Sequence, residues 1–371
     1  MKKRFLTFRI LLLGCFLFTS SVDAQIVVTQ TIAAGVEYSA VQDTIVPRHI
    51  FMLKIDLTRP ALRLHTVKAK NRLRSLATLG AMVHSFKQEK VLAAINADFF
   101  SKSGAPVNLQ IQRGELLTEP MAYPVFGILT SGRPFIRRLK FAGRLTAPHG
   151  DWPIAGVNRQ WQKDELIYFN TFFGDSLPAN PWSATVVLIP VSSWKHNSGK
   201  FKVDYFTYVR KIAFPKNRAI LVGHGKSKAW LERHLKKGSL VTLRFRFPPL
   251  KEAVLDASGG LPQILQNGKF IDRFQKKGFS KKRHPRTAIG ISRDRRKLIW
   301  MVVDGRQPGY SVGMTLRELA DFLKKQGAYD AINLDGGGSS TMIVRGKLVN
   351  HPSDAAGERP ISNAWMLFQE K

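Results

Sequence analysis

Cysteine is nearly absent: Cys15 is the only one in 371 residues. A fold stapled by disulfides is excluded, and so is a framework of cysteine metal ligands. Acidic residues are also scarce, 26 Asp and Glu against 58 Lys and Arg, which leaves a formal net charge of +32. Long hydrophobic runs are missing too. The one apolar stretch of note, Ile10 to Phe18, is about half of the roughly 20 residues that span a bilayer, so no transmembrane anchor is expected. Lys2, Lys3, Arg4 and Arg9 precede or edge that stretch, and Val22 to Ala24 offers small residues before Gln25. This is the pattern of a secretory signal peptide over residues 1–24, with a mature domain over 25–371. Cys15 follows Leu13 and Gly14 as in a lipidation site, but the apolar run continues to Phe18, so lipidation is not expected.

Removing the leader takes away the cysteine, four basic residues and Asp23. The mature chain therefore has no thiolate nucleophile and keeps its basic excess. The expected location is periplasmic or secreted. A surface so basic concentrates anions around it, with an attraction that salt screens. Outside the cytoplasm these are phosphate-bearing glycans, lipopolysaccharide or anionic membrane, so anionic envelope polymers are admitted as partners. Nucleic acid is not expected, because the basic runs "RRLKFAGR", "KKGFSKKRHPR" and "SRDRRK" lack the aromatic spacing of a base-stacking platform.

With 44% hydrophobic residues, the chain can bury a sizeable core. Strand alternation runs from Ile26 to about Lys70, in "HIFMLKIDL" and again in "LRLHTV". A helix is expected next, capped by Ser75 with Leu76, Leu79, Val83 and Phe86 on one face, followed by a buried strand at "VLAAI". Near the other end, Thr315 and Glu318 form a capping box. Leu316, Leu319, Ala320 and Leu323 follow as one apolar face, with Gly327 at the C-terminal cap and "YDAINLD" as a second buried strand. The section about 123–255 mixes strands such as "ATVVLIPV" and "LVTLRFRF" with one helix at "SKAWLERHLKKG". "QNGK" and "VRGKL" read as hairpin turns. No linker separates domains. The expected class is α+β, a single large domain with mixed β-sheets and a few flanking helices.

Both helix-then-strand units end in Ala-Ile-Asn-x-Asp, at Asn96 and Asp98 and again at Asn333 and Asp335. Were the two strands parallel neighbours, these four side chains would share one rim. The second unit runs into Gly336, Gly337 and Gly338, then Ser339, Ser340 and Thr341. Consecutive glycines clear side chains away and let peptide N–H groups approach an anion or a sugar oxygen. The lysine of a nucleotide-phosphate loop does not follow them, and a Gly-x-Ser-x-Gly nucleophile elbow is not formed. Two further strand ends carry chemistry-bearing groups: His284, Arg286 and Thr287 open "HPRTAIGI", and Asp304 and Arg306 close "VVDGR". Arg359 and Asn363 in "ERPISNA" are read either as contacts or as locks on the last strand. No metal motif of fixed spacing is present, so the metal site is left unknown. The aspartates 98, 304 and 335 could together hold a hard cation such as calcium.

Taken in order, "AINADFF", "GGLPQILQNGK", "HPRTAIGI", "VVDGR", "YSVGMTLRELADFL", "AINLDGGGSSTM" and "ERPISNA" resemble the phosphodiester glycosidase family, the relatives of the uncovering enzyme. The likeness extends over roughly 32–367 and is weak in the section about 123–255. One departure is that Asn96-Ala97-Asp98-Phe99-Phe100 stands where the family usually has Asn-Gly-Gly-Phe-Phe. The resemblance implies a hydrolase that splits a sugar 1-phosphodiester at the glycosidic carbon, giving free sugar and a phosphomonoester, with no cofactor required. Physical chemistry is consistent with it. The leaving phosphomonoester is a stable anion, its last proton having a pKa near 6, so cations and one carboxylate matter more than a strong general acid. Asp335, Asp304 and His284 are the expected catalytic groups. The expected substrate contacts are Asn96, Asp98, Arg286, Thr287, Arg306, Asn333, Gly336 to Thr341, Arg359 and Asn363. The rival readings are a non-catalytic anionic-glycan-binding envelope protein and a phosphodiesterase releasing sugar 1-phosphate.

Overall fold

A computed structural model describes residues 25–178, 182–209, 211–271 and 278–370. The expected signal peptide lies outside the described residues. β-strands dominate. The helices among the described residues that are longer than a single 3-10 turn have 6, 9, 4 and 10 residues, against strands in two eight-stranded and two five-stranded sheets. The α+β expectation is thereby corrected to a mostly β architecture. The helix signals in the sequence were sound at Leu316–Lys325, where the Thr315 capping box forms, and at Lys226–His234. Each such helix only covers a sheet, and none forms a layer. At the first site the signal misplaces the cap. Thr78, not Ser75, caps a helix over Leu79–His84, while the Ser75 hydroxyl donates to the carbonyls of Ala69 and Arg72 in the preceding loop. No helix among the described residues is long and apolar enough to cross a membrane.

The first eight-stranded sheet places Arg48–Asp56, Lys297–Val303, Arg286–Ile291 and Asp330–Asn333 side by side, with Gln263–Gln266 beyond. A five-stranded sheet sets Lys90–Asn96 between Met342–Val344 and Asn363–Gln369. These pairings are antiparallel. The two Ala-Ile-Asn-x-Asp strands therefore lie in different sheets and are not parallel neighbours, which corrects the topology expected for them. A short helix before a strand does not enforce a parallel crossover when the next partner arrives by hairpin. Both expected hairpins are present. Asn267 and Gly268 join Gln263–Gln266 to Lys269–Phe270, and Arg345 and Gly346 join Met342–Val344 to Lys347–Leu348, all four turn residues having positive φ.

The sheets close on shared side chains. Trp300, Ile289 and Leu53 from the first sheet, Trp365 and Leu92 from the second and Phe126 from the other five-stranded sheet make one buried cluster. Within it the Trp365 and Phe126 rings meet edge to face at 4.8 Å, and the Trp365 indole N–H is satisfied by the Ser258 hydroxyl at 2.8 Å. Edge-to-face aromatic packing adds to area burial, and it locks the last strand of the chain over the strand that leads to the candidate site. The middle section forms the second eight-stranded sheet, whose core residues, such as Phe201, Leu243 and Phe245, join Ile111, Val125 and Ala257 of the five-stranded sheet. The five-stranded sheet thus gives Phe126 and Ile128 to the first cluster and Val125 and Leu129 to this one.

Candidate functional site

The strand Asp330–Asn333 is buried throughout, and the chain leaves it through Leu334, whose N–H bonds the Thr287 carbonyl at 2.8 Å. Asp335 follows. Its N–H donates to the Ala97 carbonyl at 2.9 Å, so the two Ala-Ile-Asn-x-Asp segments meet end to end although they belong to different sheets. Asn96 completes the junction. Its Nδ2 donates to the Asp335 carbonyl at 2.7 Å, and its Oδ1 accepts the Thr287 hydroxyl at 2.7 Å and the Thr341 N–H at 3.1 Å. Asn363 fixes the other side, its Oδ1 accepting the Asp98 N–H at 2.9 Å and its Nδ2 bonding Gln110. Asn96, Thr287, Thr341 and Asn363 are buried ties beneath the site.

The glycine run turns tightly because nothing else fits. Gly337 has φ +62°, and a Cβ on Gly338 would lie 2.0 Å from Asp354 Oδ1 and 2.4 Å from an Arg359 nitrogen. The Gly336 N–H bonds Asp335 Oδ1 at 2.9 Å and the Gly337 N–H bonds the Pro285 carbonyl at 3.0 Å. These two amides shape the turn and are not turned toward a ligand. Ser339, Ser340 and Thr341 are buried behind it.

Above the turn opens a cleft of about 480 Å³. Eight of the residues singled out from the sequence line it: His284, Arg286, Arg306, Asn333, Asp335, Gly336, Gly337 and Arg359. Phe99, Leu261, Phe279 and Pro285 also line it and were missed as site residues. Phe99, Leu261 and Pro285 stand inside motifs already noticed, where apolar residues read as core, whereas Phe279 carries no signal of its own.

The cleft is cationic around one carboxylate. Arg286 is 5% exposed; its Nε and Nη2 are held by the carbonyls of Met314, Phe279 and Lys282, and burial lowers its pKa to about 10 with the Arg306 charge adding to the effect. Arg306 approaches the turn closely enough that a Cβ on Gly337 would be 3.0 Å from its guanidinium. Arg359 is held two-pronged by Asp354 at 2.7 and 2.9 Å, a geometry that fixes a guanidinium plane. His284 is held down to its neutral form by burial and then by the charges of Arg286, Arg306 and Lys282, and its Nδ1 is buried without a partner. Asp335 is pushed up to about 6 by burial, opposed by the nearby Ser339 hydroxyl, the Gly336 N–H and the Arg359 charge. Asp98, 3% exposed, accepts the Asn108 N–H at 3.0 Å. Burial pushes it up to about 7, and the neighbouring Asp335 charge adds to that rise. It does not line the cleft.

Asp304 is also away from the cleft wall. Its carboxylate accepts from the Asn350 Nδ2 at 2.8 Å, the His351 N–H at 2.8 Å and the Tyr310 hydroxyl at 3.1 Å, and burial raises its pKa. The three aspartates considered for a cation therefore do not converge, and among the described residues no group of three or more His, Cys, Asp or Glu is placed to hold a metal.

Comparison with known proteins agrees with the motifs. Residues 197–368 match the model of the phosphodiester glycosidase family. The N-acetylglucosamine-1-phosphodiester alpha-N-acetylglucosaminidase of Bos taurus is 46% identical over 69 residues, 19% of this chain and 12% of that protein, and the Homo sapiens enzyme is 46% identical over the same length. The chain thus matches only about an eighth of the length of these curated relatives. A hypothetical protein from Synechocystis shares the fold with a TM-score of 0.70 at 20% identity, covering 94% of this chain and 64% of that one. A candidate exported protein from Burkholderia pseudomallei K96243 does so with a TM-score of 0.68 at 20% identity, covering 93% and 96%. The resemblance to the phosphodiester glycosidases is shown.

Proposed function

We propose that the protein hydrolyses the glycosidic bond of a sugar 1-phosphodiester, releasing free sugar and a phosphomonoester, and that it acts on phosphate-bearing glycans of the envelope or the extracellular space. One observation carries this reading: a single half-buried carboxylate, Asp335, shares a cleft with Arg286, Arg306 and His284. A site made only to bind phosphate is weakened by a carboxylate facing its ligand. A site that breaks the bond between an anomeric carbon and a phosphate oxygen needs both.

In this mechanism Arg286 and Arg306 hold the phosphodiester charge and stabilise its growth as the C–O bonding pair leaves on the phosphate oxygen, which ends as the phosphomonoester anion. Arg286 is suited to the task because its position is fixed by three carbonyls rather than by an acid that would neutralise it. Neutral His284 offers one N–H and one lone pair to the phosphate or to its proton. Asp335 faces the anomeric carbon as nucleophile or base, and its value near 6 leaves it mostly ionised at pH 7. Phe99, Leu261 and Phe279 supply apolar surface for the sugar. Asp98 stands behind as a proton reservoir coupled to Asp335. Asp304 serves as a positioning group for the segments at Tyr310 and His351, not as a contact to substrate.

The reaction so written needs no cofactor. Calcium or another divalent cation is a separate proposal, and dialysis against a chelator tests it: activity unchanged after chelation supports the metal-free mechanism, and loss restored by calcium overturns it. The activity itself is tested by incubating the purified mature chain with a panel of glycosyl-1-phosphodiesters under mass detection. Free sugar beside a phosphomonoester supports the proposal. Sugar 1-phosphate would mean a phosphodiesterase, and tight binding without turnover would mean a glycan-binding envelope protein. The leader and the basic charge support a periplasmic or secreted setting.

A further inference from the structure

The middle section's sheet carries Ala142–Ala147, Leu240–Arg246 and Ser198–Thr207 as adjacent antiparallel strands. Leu145, Val241, Leu243, Phe245 and Phe201 point into the core. Side chains alternate along a strand, so the other face is set by the residues between them. It presents Arg144, Arg244, Arg246, Lys200 and Lys202, all exposed. The register places Arg144 directly opposite Arg244, which on its other side faces Ser198, while Lys200 faces Thr242 and Lys202 faces Leu240. Like charges opposite one another on a sheet weaken the pairing. Only Arg144 among the five is relieved by an ion pair, to the exposed Asp151 at 2.9 Å; the other four have no carboxylate partner among the described residues.

We propose that this face binds a linear phosphate-bearing glycan through its repeating charges, as a surface separate from the cleft. Charge complementarity selects a polyanion. Cations repeat about 7 Å apart along a strand, at Lys200 and Lys202 and at Arg244 and Arg246, and about 5 Å apart across strands at Arg144 and Arg244, a spread that matches an extended chain better than a compact anion. The residues between the cations, Thr146, Thr242 and Ser198, are short hydrogen-bonding groups suited to sugar hydroxyls. Tyr205, near the far end of Ser198–Thr207, is the one exposed aromatic ring of these segments, a single ring and not the row of rings on which successive nucleic-acid bases stack. Leu240, at 61% exposed, and Tyr205, at 41%, are too little for insertion into a membrane interface. Arg144 and Arg244 face each other at a cost to the pairing, and Lys200, Lys202 and Arg246 extend the same exposed basic face, which makes an extended glycan the occupant the chemistry favours.

The test measures binding to immobilised phosphomannan at low salt, for the parent chain and for the variant K200Q/K202Q/R244Q/R246Q. Unphosphorylated mannan, single-stranded DNA and phosphatidylglycerol vesicles serve as the comparison arms. The expected result is salt-sensitive binding to phosphomannan that falls at least roughly tenfold in the variant, with hydrolysis of a small soluble sugar 1-phosphodiester unchanged. Equal binding by parent and variant, equal binding to unphosphorylated mannan, or stronger binding to DNA or vesicles overturns it. Because the binding arm requires no turnover, its failure is distinguishable from failure of the cleft reading.

Discussion

In the proposed mechanism Asp335 couples chemistry to stability in a single side chain. As nucleophile or base it works ionised, so activity is expected to rise with pH through about 6, and Asp335→Asn should lose roughly 10²- to 10⁴-fold in kcat/KM while still folding. Unchanged turnover in a folded Asp335→Asn protein would remove the residue from the mechanism. The same variant makes a second prediction. Asp335's folded pKa is raised above the ordinary carboxylate value, so its contribution to stability is full below about pH 4 and is lost as pH rises through about 6. Asparagine does not titrate. Asp335→Asn should therefore match the parent near pH 4 and exceed it at pH 8 by on the order of 1–3 kcal/mol, as read by urea unfolding at both values. Loss of the neighbouring charge should also draw Asp98 down from its value of about 7, which carboxyl NMR would detect; a stationary Asp98 would show that the two do not interact. At this scale the sequence revealed several charged side chains that reach the cleft, Asp335 and Arg306 beside glycines and Arg286 at the start of a strand, although the same glycine signal at Asp304-Gly305 led away from it. It could not separate Asn96, Thr287 and Asn363 from ligand contacts, because a polar side chain at a strand end serves equally well as an internal tie. That choice depends on partners as far away as Thr341 and Gln110.

Strand ends are built by segments distant in sequence. The strand Lys297–Val303 finishes in Asp304-Gly305, which read alone resembles an open catalytic turn. The return of Asn350 and His351 over it, together with Tyr310 stacked on His49 at 3.9 Å, closes that end off. Removing the carboxylate takes the acceptor from three donors, of which the Asn350 amide is buried while the donors of Tyr310 and His351 are partly open to water, at a cost of about 1–3 kcal/mol for a buried donor left fully unsatisfied. Asp304→Ala should thus lower the unfolding midpoint clearly, whereas Asp304→Asn, retaining one acceptor, should lower it less and keep KM near the parent value in the folded fraction. A large loss of kcat in Asp304→Asn with an unchanged midpoint would return Asp304 to the chemistry. Elements themselves were legible where local chemistry decides them, as in the Thr315 capping box and the Asn267-Gly268 and Arg345-Gly346 hairpins. The Thr78 cap was hidden by Ser75, an equally good capping residue three positions earlier whose hydroxyl goes instead to loop carbonyls.

The molecule as a whole is a set of mostly antiparallel sheets packed through several buried clusters, with helices too short to form layers. Hydrophobic periodicity gave most of the strands but not their partners. The neighbour of Lys90–Asn96 is Asn363–Gln369 at the far end of the chain, a pairing that no local pattern encodes, and the expected α+β class rested on counting helix signals without their lengths. What the long-range pairing achieves is the junction at Asp335 N–H and the Ala97 carbonyl, which brings one carboxylate under a cationic cleft. The proposed reaction breaks the bond between the anomeric carbon and oxygen and leaves the phosphorus untouched. Hydrolysis of a glycosyl-1-phosphodiester in ¹⁸O-enriched water, followed by mass analysis of the phosphomonoester, tests it most directly. An unlabelled phosphomonoester is expected, the water oxygen having gone to the sugar; ¹⁸O in the phosphomonoester would show attack at phosphorus instead and rule the proposed cleavage out.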